Sequence, residues 1–510
     1  LASSGDCIIN LGIVLAASWC DAQPIFPLSM PNVPLTTRRQ FLLASSLTAT
    51  SIALGAEPAA PIAKPKATAK EKVGPVPAIT PVPGAAFLHA GPMVGHVTDT
   101  TARLWAKGSN QGRLAFKMGL QADLSDGRVV SAADLTESAS FTGQVQVDGL
   151  QPATRYFYAP VLDGAPALAR PYPSFVTAPA KEHRGQLRVA FGSCVGHRGY
   201  HAAAAFGEMA ARADFDLLLM LGDNHYGDTT DPALLRDYYH MHRTVAGFEK
   251  LIREKPTYAI WDDHDFGPNN SDGTTKGKED SLRVFQQWWA NPGYGEQGNP
   301  GCYYGFARGG VDFFMLDSRY YRTPNKTVED GKKTMLGARQ LQWLKDGLAA
   351  SKAPFKIVAC GSEWQTLTQP DCWSSFARER QEIFDHITAQ KIDGVVLLSG
   401  DRHLTAGYQI QGRHLEFTSG PLGSGNSTLQ ENPERFTGAD EGKLWAVLDL
   451  DTSASPPSFH YEIWQAGGGL LERRALTWDE INGRSQITPS PSPLVPERME
   501  KKAKSTPKTE

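Results

Sequence analysis

Apolar and polar positions follow two rhythms along the chain. From Leu187 to about Trp478, continuous apolar runs of strand length (LRVAFGSC, FDLLLMLGD, TYAIWDD, DFFMLDS, FKIVACG and GVVLLSGD) are separated by longer stretches. Several of these, HAAAAFGEMAARA, PALLRDYYHMHRTV, LGARQLQWLKDGLAA and FARERQEIFDHITAQ, repeat apolar residues at helical spacing. A run that is apolar throughout predicts a strand buried on both faces, as in a sheet covered by helices. HLEFTSG, LWAVLDLD, SFHYEIWQ and ERRALTW follow as strands with no helix between them. The pattern therefore predicts an α/β domain whose mixed sheet gains antiparallel strands.

From about Ala85 to Thr177 the rhythm shortens to TARLWAKG, GRLAFKMGL, SFTGQVQVDGL, RYFYAPVLDG and SFVTAP, with Gly, Asp and Pro at the turns. Strands of that length and punctuation predict a β-sandwich. The run from Gly149 to Tyr156 resembles the corner before a late strand in fibronectin type III-like domains, where a Tyr hydroxyl closes the turn. The expected division is a small sandwich over residues 85–180, a larger α/β domain over 187–480, and a Pro-, Ser- and Lys-rich disordered tail over 481–510. Residues 57–84, rich in Ala, Pro and Lys, read as an extended linker.

The N-terminal region carries an address. Arg38 and Arg39 precede Gln40, Phe41 and Leu42 and a mildly apolar stretch ending near Gly55, a pattern that resembles a bacterial twin-arginine signal over residues 30–56. That stretch is too short and polar for a spanning helix, so no transmembrane span is expected in the mature chain. Met30 lies where such a precursor begins, and residues 1–29 are expected to be upstream sequence outside the natural chain. N-terminal sequencing of the precursor checks this. The implied location is periplasmic or secreted, with the twin-arginine translocase as the partner during export.

The formal charge of −3 over 510 residues argues against a general nucleic-acid binder and against electrostatic membrane anchoring. Cys194, Cys302, Cys360 and Cys372 fall within the expected mature part, where an exported chain can form disulfides. A ligand role for Cys194 leaves an odd number, and the pairing of the rest stays open.

Chemistry concentrates where apolar runs end. Ser193-Cys194, Gly222-Asp223-Asn224-His225-Tyr226, Asp262-Asp263-His264-Asp265 and Gly400-Asp401-Arg402-His403 each follow one. In open α/β sheets that edge binds ligands. Carboxylates, imidazoles, a thiol and a phenol gathered there repel or strain one another unless a cation lies between them. Asp223 and Tyr226, three residues apart, can reach one ion, and a phenolate favours a hard, highly charged metal. Asp263 and Asn269 supply oxygens for a second, harder cation. His264, beside carboxylates, suits proton donation to a leaving oxygen. Arg319 is expected either to grip a phosphate bidentately or to pair with Asp317. Arg402 and Asn270 are further substrate-side candidates. Asp401 and His403 are expected to share one face of an extended segment.

The order SC, GDNHY, WDDHD with its following Asn, and SGDRH resembles the alkaline phosphatase D family of metallophosphoesterases, over roughly Ala85 to Trp478. The resemblance implies a calcineurin-like core of two packed sheets flanked by helices, behind a small sandwich. It implies Fe³⁺ held by Cys194, Asp223, Tyr226 and His403, and Ca²⁺ held by Asp223, Asp263, Asn269 and Asp401. Mg²⁺, Mn²⁺ and Zn²⁺ are the other choices for the second site. The wider superfamily opens with Asp-x-His, uses Gly-Asn-His as its third motif and closes with Gly-His-x-His, where this chain has Cys194, Asp263-His264 and Asp401-Arg402-His403. Carboxylate in place of imidazole hardens the second site in favour of Ca²⁺. The expected function is an exported metal-dependent hydrolase of phosphate mono- or diesters, acting on small molecules or on lipid or polymer phosphodiesters. A phospholipase D-type diesterase is the alternative within enzymes. An exported binding protein with structural metals is the alternative outside them.

Overall fold

A computed structural model describes residues 84–490 and Leu494, apart from residue 213 and residues 366–368. The expected upstream segment, signal and nearly all of the linker lie outside the described residues. The six apolar runs are strands, as their composition requires, and their order builds two sheets. One runs Thr257–Ile260, Leu217–Leu221, Gln186–Gly192, Leu444–Asp451, Ser458–Gln465 and Gly469–Leu476. Its first three strands are parallel and its last three are joined antiparallel. The other runs Tyr304–Arg308, Val311–Met315, Phe355–Ala359, Val395–Ser399, His414–Thr418, Thr405–Ile410 and Arg435–Ala439. Its central four strands are parallel.

Every residue of Leu217–Leu221 and Val395–Ser399 is buried, as continuous apolar runs require in a sheet covered on both faces. Leu187, Leu218, Phe355, Phe417 and Tyr461 share one core, which draws on both sheets. The sheets are tied together at one edge. Ser193 Oγ donates to Ser419 O at 2.8 Å, Ser419 Oγ to Phe191 O at 3.0 Å, and Gly423 N to Cys194 O at 2.9 Å.

The expected helices are found at Ala203–Arg212, Pro232–Arg243, Ala338–Ala350 and Ala377–Ala389. Helices Ala246–Glu254 and Lys278–Trp288 add to the sequence reading. Both are rich in charge, and their buried stripes (Phe248, Leu251 and Ile252 in the first; Leu282, Val284, Phe285 and Trp288 in the second) are clear only against the core they cover.

The sandwich has a three-stranded sheet (Leu88–Val97, Ala102–Gly108, Thr142–Val147) and a second built around Arg128–Leu135, Gly112–Gly119 and Arg155–Leu162. Tyr156 Oη accepts from the Gln151 amide at 3.0 Å, so the tyrosine closes the corner as its position suggested. Leu88–Val97 was not legible as a strand because Gly91, Pro92 and Gly95 punctuate it. Gly95 is required there: a Cβ would lie 2.2 Å from Ala290 O, in the bed where the sandwich docks. That bed is the end of helix Lys278–Trp288 and the loop after it. Trp105 Nε1 donates to Gln287 O at 2.8 Å and Gln144 Nε2 to Gln286 O at 2.6 Å. Tyr158 Oη donates to Arg253 O at 2.8 Å. Trp105 is buried within the core of the larger domain.

The described residues after Asn482, in the segment expected to be disordered, are ordered. Ile487 is buried and its amide donates to Gln409 Oε1 at 3.1 Å. The amides of Ser490 and Leu494 donate to Phe436 O and Gly438 O, each at 2.7 Å, covering the edge strand Arg435–Ala439. The apolar residues Ile487 and Leu494 supply burial that the polar composition of this segment hid.

Candidate active site

Cys194, Asp223 and Asp262–Asp263 follow the carboxyl ends of three parallel strands in the first sheet. Asp317–Arg319, Ser362–Glu363 and Asp401–His403 follow parallel strands of the second. The two edges converge on one cage, and its backbone is strained. Cys194, Asp223, Asp401 and His403 take φ of 61°, 51°, 67° and 54°, in the left-handed region that non-glycine residues avoid. Such conformations cost on the order of 1–3 kcal/mol each and cluster at functional sites. They also correct one expectation: Asp401 and His403 do not alternate on an extended segment, since both sit in left-handed bends. Gly222, at φ 96°, lets the Asp223 loop pass the Asp262 loop, because a Cβ there would stand 2.6 Å from Asp262 Cβ.

Four side chains make the first part of the cage. Cys194 Sγ lies 3.4 Å from Asp223 Oδ2, and Tyr226 Oη lies 3.2 Å from the same oxygen. Tyr226 Oη is also 2.8 Å from His403 Nε2. Ligand atoms of Cys194, Asp223 and His403 fall within 4.8 Å of one another, as do those of Asp223, Asp263 and His264, and those of Asp262, Asp263 and Asp401. The three groups share members, so they form one continuous site.

Its electrostatics call for positive charge. Burial, then the charge of Asp223, pushes the Cys194 thiol well up. Burial, then Asp223 and Cys194, raises the Tyr226 phenol. Asp401 is raised by burial and then by Asp262 and Asp263. Without a cation these groups would hold protons; a bound cation inverts that preference. Two buried carboxylate oxygens, Asp223 Oδ1 and Asp262 Oδ2, have no hydrogen-bond partner. Orphaned buried acceptors beside a thiol, a phenol and an imidazole fit metal ligation.

Asp265 fixes the loops relative to each other: its Oδ2 accepts from the Asn224 amide at 2.9 Å. His264 lies flat on Tyr226, with ring centroids 3.9 Å apart and 25° between planes. Its Nδ1 is 2.6 Å from Asp228 Oδ1. Burial opposes protonation of this ring. The charge of Asp223, the hydrogen bond to Asp228 and the charge of Asp263 outweigh it and raise the pKa to about 10.

The remaining candidates fall differently. Arg319 is not a phosphate clamp facing solvent. It is fully buried, with Nε on Asp262 Oδ1 at 2.7 Å, Nη2 on Asp371 Oδ2 at 2.9 Å and Nη1 on Ser271 O at 3.1 Å. Its charge is spent on holding Asp262. Asp317, the partner considered from sequence, instead accepts from Trp261 Nε1 at 2.8 Å and from the Arg319 amide at 2.9 Å. Arg402 is half-buried beside the cage, with Nε 3.2 Å from Glu363 Oε2. Asn269 and Asn270 lie on an exposed turn; Asn270 meets the cage through its backbone amide, 2.7 Å from Asp263 Oδ2. The ligand sets expected from sequence left out Asp262, and Asp371 was not among the candidates at all. Asp262 had a signal, since it ends the same apolar run as Asp263. Asp371 had none, lying in a polar loop remote in sequence.

Cys194, Cys302, Cys360 and Cys372 are all buried free thiols. Among the described residues no helix is long and apolar enough to cross a membrane.

Two packed mixed sheets with a carboxylate-rich cage at their shared edge define a metallophosphoesterase-like α/β protein. The chain belongs to the PhoD-like phosphatase family, whose profile matches residues 189–446. A second profile, a domain of unknown function (DUF7800), matches residues 85–180. Alkaline phosphatase D of Bacillus subtilis (strain 168) is 25% identical over 319 residues, covering 52% of this chain and 54% of that protein. This chain thus spans about half the length of that relative. Purple acid phosphatase 23 of Arabidopsis thaliana is 24% identical over 347 residues, covering 64% of this chain and 68% of that protein. The solved structure of PhoD superposes with a TM-score of 0.62 at 18% identity, covering 78% of this chain and 94% of that one. Purple acid phosphatase PPD1 from yellow lupin (Lupinus luteus) gives 0.57 at 13% identity, covering 80% of this chain and 78% of that one. The cage holds three overlapping groups of side chains able to bind metal ions.

Proposed function

We propose that this chain is an exported, metal-dependent hydrolase of phosphate esters. The observation that carries the reading is the pair of orphaned oxygens, Asp223 Oδ1 and Asp262 Oδ2, set among Cys194, Tyr226, His403 and Asp401. A thiolate and a phenolate beside one carboxylate suit Fe³⁺, held by Cys194, Asp223, Tyr226 and His403. The all-oxygen set of Asp262, Asp263 and Asp401, with Asp223 between the two sites, suits a harder cation such as Ca²⁺, with Asn269 as a further oxygen donor. Bound cations would neutralise the phosphate and lower the pKa of a water.

The chain's own groups supply the rest. His264, held by Asp228, gives its proton to the leaving alkoxide as the phosphorus–oxygen bond breaks. A water oxygen forms the new bond to phosphorus and releases its proton to solvent. Stacking on Tyr226 keeps the His264 ring from turning away. Arg319, itself gripped by Asp371, holds Asp262 in place. The Tyr156 corner supports reading the small sandwich as fibronectin III-like, and the twin-arginine pattern supports export to the periplasm or beyond.

The test is turnover of 4-nitrophenyl phosphate against bis(4-nitrophenyl) phosphate by the iron- and calcium-loaded protein. Turnover of the monoester supports the reading, and a preference for the diester assigns the diesterase form. Full metal loading with hydrolysis of neither substrate would leave a binding protein with structural metals.

A further inference from the structure

The sandwich and the α/β domain meet over a cavity of about 580 Å³, lined by both domains. That is a volume typical of small-molecule sites. Its charges do not balance: Lys181, Arg184, Arg308 and Lys352 line it against Asp99 and Asp312. Asp312 is further occupied by Ser351 Oγ at 2.5 Å.

Arg308 is the telling residue. It is 7% exposed, and its Nε and Nη1 are buried with no hydrogen-bond partner. Its Nη2 reaches only Val176 O, at 3.4 Å. Among the described residues it forms no ion pair. A buried guanidinium without a counter-charge is costly, and an anion in the adjoining cavity would relieve that cost through its charge. Arg184 lies over the hairpin turn beside it. Gly310 has φ 80°, and a Cβ there would stand 2.4 Å from Arg184 Nη1, so glycine is what leaves room for the guanidinium. His96 completes the wall, with Nδ1 3.3 Å from Tyr258 Oη. Burial and then Arg103 and Arg308 depress its pKa to about 4, leaving a neutral ring.

The cavity is separate from the metal cage. The turn Gly309–Gly310 precedes strand Val311–Met315, whereas Asp317 and Arg319 follow its far end. Five residues at about 3.3 Å each set the two apart by roughly 16 Å along the strand. Lys181 and Arg184 likewise precede strand Gln186–Gly192, and Cys194 follows it.

We propose that this interdomain cavity is a second anion site that binds a small phosphate-class oxyanion through Arg308, Arg184 and Lys181. Four lining cations against two carboxylates leave an excess of positive charge, which favours an anion.

Amide hydrogen exchange over Gly309–Asp312 in the metal-loaded full chain tests it, with inorganic phosphate and with the non-hydrolysable phenylphosphonate as probes. At ten times the dissociation constant, exchange governed by local opening is expected to slow roughly tenfold. Arg308→Met should abolish this protection, and Arg184→Met, at the exposed rim, should weaken it without touching the core. Protection by phosphate alone identifies free anion as the occupant. Protection by phenylphosphonate at lower concentration identifies an organic phosphate. No slowing with either probe, or slowing that survives both substitutions, overturns the proposal.

Discussion

His264 Nδ1 lies 2.6 Å from Asp228 Oδ1, and the same imidazole is stacked on Tyr226, a residue that itself reaches Asp223 and His403. One side chain thus joins the cage to a carboxylate at its rim. The pairing fixes the ring orientation and leaves Nε2 to meet the substrate. Asp228→Asn should retain metal and lower kcat by roughly 10- to 100-fold, below the full value of a general acid because only its orientation and basicity are lost. The limb of the pH–rate profile assigned to the His264 proton should move to lower pH. A variant with wild-type kcat and an unmoved profile would remove Asp228 from the chemistry.

Arg319 separates two accounts of the site. As a residue that holds Asp262 and Asp371 in a buried network, it stabilises the fold. Arg319→Met leaves buried carboxylates without their counter-charge and should cost about 3–5 kcal/mol in denaturant unfolding. Raised KM at unchanged stability is the contrary outcome, and would return Arg319 to substrate binding.

The domains should unfold together. Trp105, from the sandwich, is buried in the core of its neighbour and donates to Gln287 O. Trp105→Ala is expected to cost about 3–5 kcal/mol and to lower a single cooperative transition. Two separated transitions in the parent chain would show that the interface is not integral.

Acid should destabilise the protein before its carboxylates titrate. His240, His242 and His414 have pKa values lowered to about 3, and His96 to about 4, in each case chiefly by burial. A folded-state pKa below the unfolded value means that the unfolded chain binds more protons. Stability is therefore full above pH about 6.5 and falls progressively as pH drops toward 4 and then 3. Melting temperatures between pH 7 and pH 4 check this. His414→Phe, which can keep the stack on Phe384, should flatten part of the slope. A melting temperature that holds steady across that range would contradict it.

Much of this site was legible because its residues end apolar runs. Cys194, Asp223, Asp263 and Asp401 each lie a residue or a few beyond a strand, and a parallel sheet brings such ends together. What pattern could not convey is which partner each polar group finds across the fold. Arg319 sits at a strand end like the candidate ligands, and only the packing of Asp371 from a distant loop reveals that its charge is already spent. The two added helices were hidden for a related reason: their apolar stripes are narrow and interrupted by charge. In the tail, two apolar residues were enough to hold a polar segment against an edge strand.

Cys194 and Tyr226 are proposed to hold iron. Metal analysis of the purified protein with its visible spectrum tests it most directly, repeated on Tyr226→Phe and Cys194→Ala. Near-stoichiometric iron with a phenolate-to-iron absorption band is expected in the parent, with loss of that band in Tyr226→Phe and loss of iron in Cys194→Ala. Zinc or magnesium without iron, or an absorption band that survives in Tyr226→Phe, would contradict it.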